Sequence, residues 1–559
     1  MTTPGSAVLR GSLRLTRRRL VVGSLFGIGY QGGEALVPVL IGVVIDRAVA
    51  TGDAGGLALW LGVLAATFLV LSLSWRFSAR YSMYAAVEVE RDLRMRLGRR
   101  ILDPRGGAEA GHLPGAMISI ATSDVRYVAG VADMVPRAVA AVVGVTVASV
   151  ALLTMSVPLG LLVLLGTPPL LFLSQLVSRP LERRSAAQQE EAAQAAGVAA
   201  DLVRGVRVLK GIGAEEHARE RYRRVSRRSL HATVATARAQ GGYEGAVLAL
   251  NGLFLALVAL VGGLLALHGS ITVGELVSAV GLAQFLAGPM QSAGDIAAVW
   301  AIGRASAVRI AGVLEAPWAI AAGETIPAEP VRGELRLESV AEVPGGPGVD
   351  LVAVPGTVLG VVADPPAAAA LLAWLGRERD PGGGRLLLDG RPFADLDPDA
   401  LRGAVLVSAH DADLFGGTLH ENLTAVAAGD PSGAIAAAAA DTVAAALPAG
   451  HDTAVAERGS SLSGGQRQRV ALARALAAHT PVLVLHDPTT AVDTVTEARI
   501  AESLRELRAD RTTVLLTSSP ALLAVADSVV VLREGRVAAT GTHSALLRDD
   551  AAYRATVLS

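Results

Sequence analysis

Residues Ser460–Leu476 read SSLSGGQRQRVALARAL, and Ser463-Gly464-Gly465-Gln466 stands at the head of an alanine- and leucine-rich run. The chain around this stretch holds a single lysine, Lys210, and the whole of Gly333–Ser559 has none. A glycine-rich phosphate loop that ends in lysine therefore cannot be formed in the C-terminal half. One element suited to phosphate is present and its usual companion is missing.

Hydrophobic residues make up 52% of the 559 residues and charged residues 18%, too apolar for an ordinary soluble chain and indicative of membrane spans. The formal net charge of −1 implies no bulk attraction to nucleic acid. Cysteine is absent, so disulfides and thiolate chemistry are excluded. Arg14, Arg17, Arg18 and Arg19 precede an apolar run that is too long for a secretory leader and is read as a retained first membrane helix.

Six apolar segments, near 20–45, 57–75, 134–154, 157–178, 244–267 and 273–293, approach the ~20 residues a spanning helix requires. The second and third are joined by a long arginine-rich link, as are the fourth and fifth, whereas DRAVATGDAGG, TMSVPLG and LHGSITVGE are short and nearly free of positive charge. The positive-inside rule places the N-terminus, both long links and the C-terminal half in the cytoplasm of a multi-pass protein of the cell membrane. Both links have helical composition, reversing at DPRGGAEAGHLPG and RVLKGIGAE. Residues 1–315 form the membrane domain, 316–332 a linker and 333–559 a soluble domain, where strand-like ELRLESV, VLGVVA, RLLLDG, AVLVSA, PVLVLHD, TTVLLTS and SVVVLREGRV alternate with helical stretches.

The ordered series LFGGTLHENL, AERGSSLSGGQRQRVALARAL, PVLVLHDPTTAVD and REGRVAATGTHSALL, following six spans, resembles the ABC exporters, specifically half-transporters with six membrane helices fused to one nucleotide-binding domain. The resemblance covers nearly the whole chain. It implies a multidomain fold, an all-α six-helix transmembrane domain followed by an α/β, P-loop-like ABC nucleotide-binding domain. It also implies two such domains that sandwich ATP and Mg head to tail, each site completed by the partner's LSGGQ signature. Ser463 would then cap a helix beginning near Gly464, and Ser463, Gly464, Gly465 and Gln466 would face the γ-phosphate of a partner-bound ATP.

The chain's own ATP elements depart from the family pattern in succession. Strand VLGVV runs into Ala363-Asp364-Pro365-Pro366-Ala367-Ala368-Ala369-Ala370, with Ala369 near the lysine position; two prolines remove two donors and Asp364 adds a like charge. Val343 stands where an adenine-stacking aromatic is expected, and His410 or Ala409 where a metal-sensing glutamine is. His486 replaces the metal-orienting aspartate, Asp487 the catalytic glutamate and Ser518 the switch histidine. No catalytic residue and no metal ligand is assigned to this chain's own site. Elements that would serve a partner persist: Glu457 in the loop that contacts the membrane domain, and Asp493 in the loop that crosses the dimer interface.

In the membrane domain Glu34, near Tyr30 and Gln31, is the foremost substrate candidate, with an internally hydrogen-bonded or outer-leaflet Glu34 as the alternative; Asn251, Gln175 and Gln284 are weaker candidates. The resemblance further implies short docking helices near Gly107–Gly115 and Gly211–Gly213. The sequence thus points to the catalytically silent half of a heterodimeric ATP-driven exporter, partnered by a half-transporter with intact ATP motifs, moving a small-molecule, lipid or peptide cargo and binding no nucleic acid. The rival is a non-transporting pseudo-ATPase that acts as a membrane regulator or scaffold.

Overall fold

The computed structural model describes residues 4–321, 323–343, 345–410 and 413–558. The chain separates into two compact units, one of Met1–Gly98 with Leu113–Leu314, the other of Arg99–His112 with Glu315–Ser559.

The first unit is helical throughout. An amphipathic helix α1 (Pro4–Leu15) buries Gly5, Val8, Leu9 and Ser12. It is followed by α2 (Arg17–Val44), which runs on as a π-helical turn Ile45–Val49, and by α3 (Ala54–Ile101). Next come α4 (Pro114–Ser119), the π-turn Ile120–Asp124, α5 (Val125–Met155), α6 (Val157–Arg204), the short α7 (Val206–Gly211), α8 (Glu215–Leu267) and α9 (Val273–Leu314). Among the described residues six helices are long and apolar enough to cross a membrane: Arg17–Val49, Ala54–Ile101, Gly115–Met155, Val157–Arg204, Glu215–Leu267 and Val273–Leu314. These overlap the six expected segments. The long links are helical extensions of the spans. The reversal near Gly211 carries α7; in the one near Gly107–Gly115, residues 103–113 are turns and the short α4 begins at Pro114.

Small residues let the helices approach where the spans are most crowded. A Cβ on Gly42 would lie 2.3 Å from the Gly274 carbonyl, so α2 and α9 meet backbone to backbone. Just beyond, Asp46 accepts from the Thr272 hydroxyl at 2.5 Å and from the Gly274 amide at 2.9 Å. Farther along α9, the buried Asp124 accepts from Ser306 at 3.0 Å and from Arg309 Nε at 2.7 Å, pairing charge with charge where an isolated carboxylate would be costly.

The second unit is α/β. An antiparallel sheet has the order β2 (Val349–Ala353), β1 (Leu335–Ala341), β4 (Gly383–Leu388), β5 (Arg391–Pro392). The central sheet runs β12 (Arg536–Gly541), β11 (Ser528–Arg533), β3 (Val358–Val362), β10 (Thr512–Leu516), β9 (Val482–His486), β6 (Val405–Ser408), parallel except for β12. A two-stranded pair joins β7 (Gly417–Thr418) to β8 (Ala454–Val455). The central strands read as unbroken apolar runs because both faces are covered. Leu483 and Leu485 of β9 point into a core with Val470, Leu472 and Leu476, while Val482 and Val484 point into a second core with Leu335, Leu337 and Leu386.

The helices of this unit are α10 (Pro365–Leu375), α11 (Pro398–Ala404), α12 (Leu419–Thr424), α13 (Ser432–Ala437), α14 (Ala440–Ala446), α15 (Gly464–Ala477), α16 (Thr494–Leu507) and α17 (Pro520–Ala524), with two more after β12. The alanine-rich stretch 432–447 is helical but broken in two, with Ala439 in the left-handed region at φ 51°. The segment after α9 is pinned rather than loose. Ala319 and Ile320 amides donate to the Arg105 carbonyl, and the Trp318 ring lies between the Arg100 and Arg105 guanidiniums, 3.7 and 3.5 Å from its centroid.

Candidate functional site

Strand β3 is buried along its whole length and delivers the chain to Asp364, the N-cap of α10. A helix leaves its first four amides without intrahelical partners, and a phosphate loop works by offering them to an anion. Those four are the amides of Asp364, Pro365, Pro366 and Ala367. Pro365 and Pro366 have no N–H and the Ala367 amide donates to the Asp364 carboxylate at 2.8 Å, so three of the four have nothing to offer, while the Ala368 amide makes the first intrahelical bond, to the Asp364 carbonyl at 2.9 Å. Ala369, expected near the lysine position, presents a methyl group to solvent. The donor set does not fit a nucleotide phosphate, and the carboxylate at the helix start would repel one.

Three of the other positions singled out in the sequence lie together at the end of β9. His486 ends β9 with Nε2 3.8 Å from the Asp487 carboxylate. Asp487 adopts φ 42° and its amide bonds the Leu516 carbonyl at 3.0 Å. The His410 ring stands edge-on to His486 at 6.0 Å, and its Nδ1 is 3.4 Å from both the Asp487 carbonyl and the Thr490 hydroxyl. Ser518 is exposed just past β10, and Val343 is 58% exposed after β1. The structure therefore gathers His410, His486 and Asp487, and leaves Ser518 and Val343 facing solvent.

The signature has defined local geometry. Ser463 is the N-cap of α15: its hydroxyl accepts from the Gln466 amide at 3.3 Å, and the Gln466 side chain accepts from the Ser463 amide at 2.9 Å, a reciprocal capping box. Gly465 is needed for a reason that the sequence does not reveal. A Cβ there would sit 2.5 Å from the Ala491 carbonyl, so α15 presses against the loop after β9. The Gln468 amide locks the same contact, accepting from the Ala491 amide at 2.8 Å and donating to the Thr490 hydroxyl at 2.7 Å. Two residues on, Asp493 caps α16 through the Thr496 amide at 2.9 Å, which holds its carboxyl below the usual range. Glu457 lies in the turn Glu457–Gly459 ahead of the signature, and Glu457, Ser463 and Asp493 are all exposed.

In the helical unit Glu34 faces a cavity of about 1190 Å³ among α2, α3, α5 and α9. Gln31 and Gln284 share it; Asn251 and Gln175 are not in its lining. Phe68, Trp75, Phe285 and an Asp133–Arg137 pair at 2.7 Å escape sequence reading, because only the packing of four helices brings them to one space.

The ABC transporter transmembrane region matches residues 20–290, and the ABC transporter domain matches 369–490, beginning within α10 past Asp364. The chain is 34% identical over 551 residues to a multidrug efflux ATP-binding/permease protein of Mycobacterium tuberculosis, covering 96% of this chain and 46% of that protein. It is 30% identical over 415 residues to an ATP-dependent lipid A-core flippase of Chromobacterium violaceum, covering 72% of this chain and 70% of that one. It spans about half the length of the first curated relatives it matches. Its fold is that of a bacterial Atm1-family ABC exporter solved with ATP bound, at a TM-score of 0.75 and 23% identity, over 97% of this chain and 99% of that one.

Six membrane helices and a domain of this sheet order define a multi-pass ABC protein. The chain belongs to the ABC transporters and has the architecture of an exporter half-transporter, one transmembrane domain with one nucleotide-binding domain. Such a domain implies ATP as its nucleotide, with Mg as the accompanying ion.

Proposed function

We propose that this chain is the catalytically silent half of a heterodimeric ATP-driven exporter of the cell membrane, with its nucleotide-binding domain in the cytoplasm. The observation that carries the proposal is the accounting at α10: three of the four N-terminal amides are deleted by proline or bonded to the Asp364 carboxylate, which argues against a phosphate cradle in the chain's own site. Two copies of this chain would contain no competent site. The signature side is intact, with Ser463 exposed, the start of α15 half-buried, and Gln468 bonded to the Ala491 amide. ATP and Mg would be held by a second half with an intact phosphate loop, and Ser463, Gly464, Gly465 and Gln466 would close over the γ-phosphate, where a helix N-terminus stabilises negative charge. Glu457 would meet the membrane domain's cytoplasmic helices and Asp493 the facing domain. The names of the relatives, a multidrug efflux protein and a lipid A-core flippase, favour a lipophilic cargo that passes through the cavity at Glu34.

The test is to purify this chain through a tag, identify any co-purifying half-transporter, and count nucleotides trapped by vanadate. One trapped nucleotide per complex, photolabelling only the partner, is expected. Labelling of this chain would refute the silent site, and the absence of any ATPase partner would make the chain a regulator or scaffold instead.

A further inference from the structure

We propose that the cavity at Glu34 selects hydrophobic organic monocations, a substrate class that rests on the reading of this chain as half of a transport pathway. The argument is one of charge and lining. Among the described residues the cavity wall carries three ionisable acid or base groups, Glu34, Asp133 and Arg137. Arg137 is committed to Asp133 at 2.7 Å on the same helix, four residues away, so those two cancel. The formal charge left over is that of Glu34. Tyr30 and Gln31, its cavity neighbours on α2, bring no positive charge.

Depth adds to the argument. Glu34 is 17 residues into the span that opens at Arg17 and 15 before its end at Val49, roughly 25 and 22 Å along the helix at 1.5 Å per residue, so neither end of the span is near. A carboxylate held at such a position is costly to keep and marks a site of use. Around it stand Tyr30, Phe68, Trp75 and Phe285. Aromatic faces attract cations and repel anions, so the walls and the carboxylate prefer the same sign of charge. The volume of about 1190 Å³ accommodates a bulky cargo rather than an inorganic ion. A phosphate-bearing lipid would need several free guanidiniums or ammoniums, and Arg137 is already paired.

The test uses the full chain as purified, with any co-purifying half, in phosphatidylcholine nanodiscs without nucleotide. Equilibrium dialysis compares tetraphenylphosphonium with tetraphenylborate, two ions of one shape and opposite charge. Saturable binding of tetraphenylphosphonium above empty discs is expected, with none for tetraphenylborate. Glu34→Gln should weaken the cation about tenfold or more, the loss of one partly desolvated ion pair, and Glu34→Asp should stay within roughly threefold. Equal cation binding by Glu34→Gln, or saturable tetraphenylborate binding, would overturn the proposal. Should Glu34→Gln fail to fold, the cation–anion comparison on the unaltered chain still decides. Neither measurement involves ATP, so failure here is separate from failure of the silent-site reading.

Discussion

Replacing Ser463 with aspartate separates the fold of the signature from its use. In the structure Ser463 has one local duty, to accept the Gln466 amide at 3.3 Å as the cap of α15. Aspartate caps helices as well as serine does, so folding stability should change by less than about 0.5 kcal/mol. In the assembled ATPase the same carboxylate would lie against the partner's γ-phosphate. Two unit charges 4 Å apart at an effective dielectric near 20 repel by about 4 kcal/mol, which is roughly a 10³-fold loss of rate. Ser463→Ala makes the opposite trade. It removes a cap worth about 1 kcal/mol and a hydrogen bond to a charged group worth about 1.5–3 kcal/mol, for a loss of about 10- to 100-fold. The assay is ATP hydrolysis by the co-purified complex in nanodiscs, with thermal unfolding of the same samples. A Ser463→Asp complex that unfolds normally and hydrolyses ATP within about twofold of the unaltered one would refute the role given to the signature.

Gly465→Ala should behave differently, lowering the unfolding temperature of the chain itself. Its Cβ would be 2.5 Å from the Ala491 carbonyl, an overpacking cost of about 1–3 kcal/mol against at most about 1 kcal/mol gained in helix propensity; a raised Tm would show that the loop yields freely. Ala369→Lys, alone or with Asp364→Ala, should leave photolabelling by azido-ATP absent from this chain, because Pro365 and Pro366 still supply no amide. Label appearing on either variant would contradict the accounting at α10. Finally, the hydrogen bond from Arg105 holds the Asp103 carboxyl down at about 2. Support from that pair is complete above the ordinary aspartate value of about 3.9 and is lost as pH falls from there toward 2. Emission of Trp318, in a variant with its other tryptophans replaced by phenylalanine, should stay constant down to about pH 4 and change below it; a midpoint above that value would show that Asp103 does not control the loop.

The large features were legible because they rest on local chemistry. Continuous apolar strands such as VLVLH, long apolar helices and the capping box at Ser463 each follow from residues within one element. Other features depend on partners far along the chain. The need for Gly465 arises from Ala491, and the ion pair of Asp124 forms with Arg309, 185 positions away. Strand β2 was obscured because it lies beside a proline- and glycine-rich turn and is held by pairing with β1. Helix α1 is brief and carries arginines, so its composition merges with the head of the first span. Asp364-Pro365-Pro366 is in hindsight a plain helix-start signal, aspartate at the cap and proline at the first position, which composition presents only as a damaged loop.

The cap at Asp364 also bears on how this protein meets changes in cellular energy. A phosphate loop with open amides reaches its most stable form only when an anion arrives, so its order follows the nucleotide supply. Here the counter-charge is built into the chain by a covalent bond. On the proposed reading, this face of the domain would stay organised when ATP is scarce and gain nothing when it is plentiful. In a two-subunit machine it would act as a fixed jaw, always ready, against which only the opposite jaw senses the fuel.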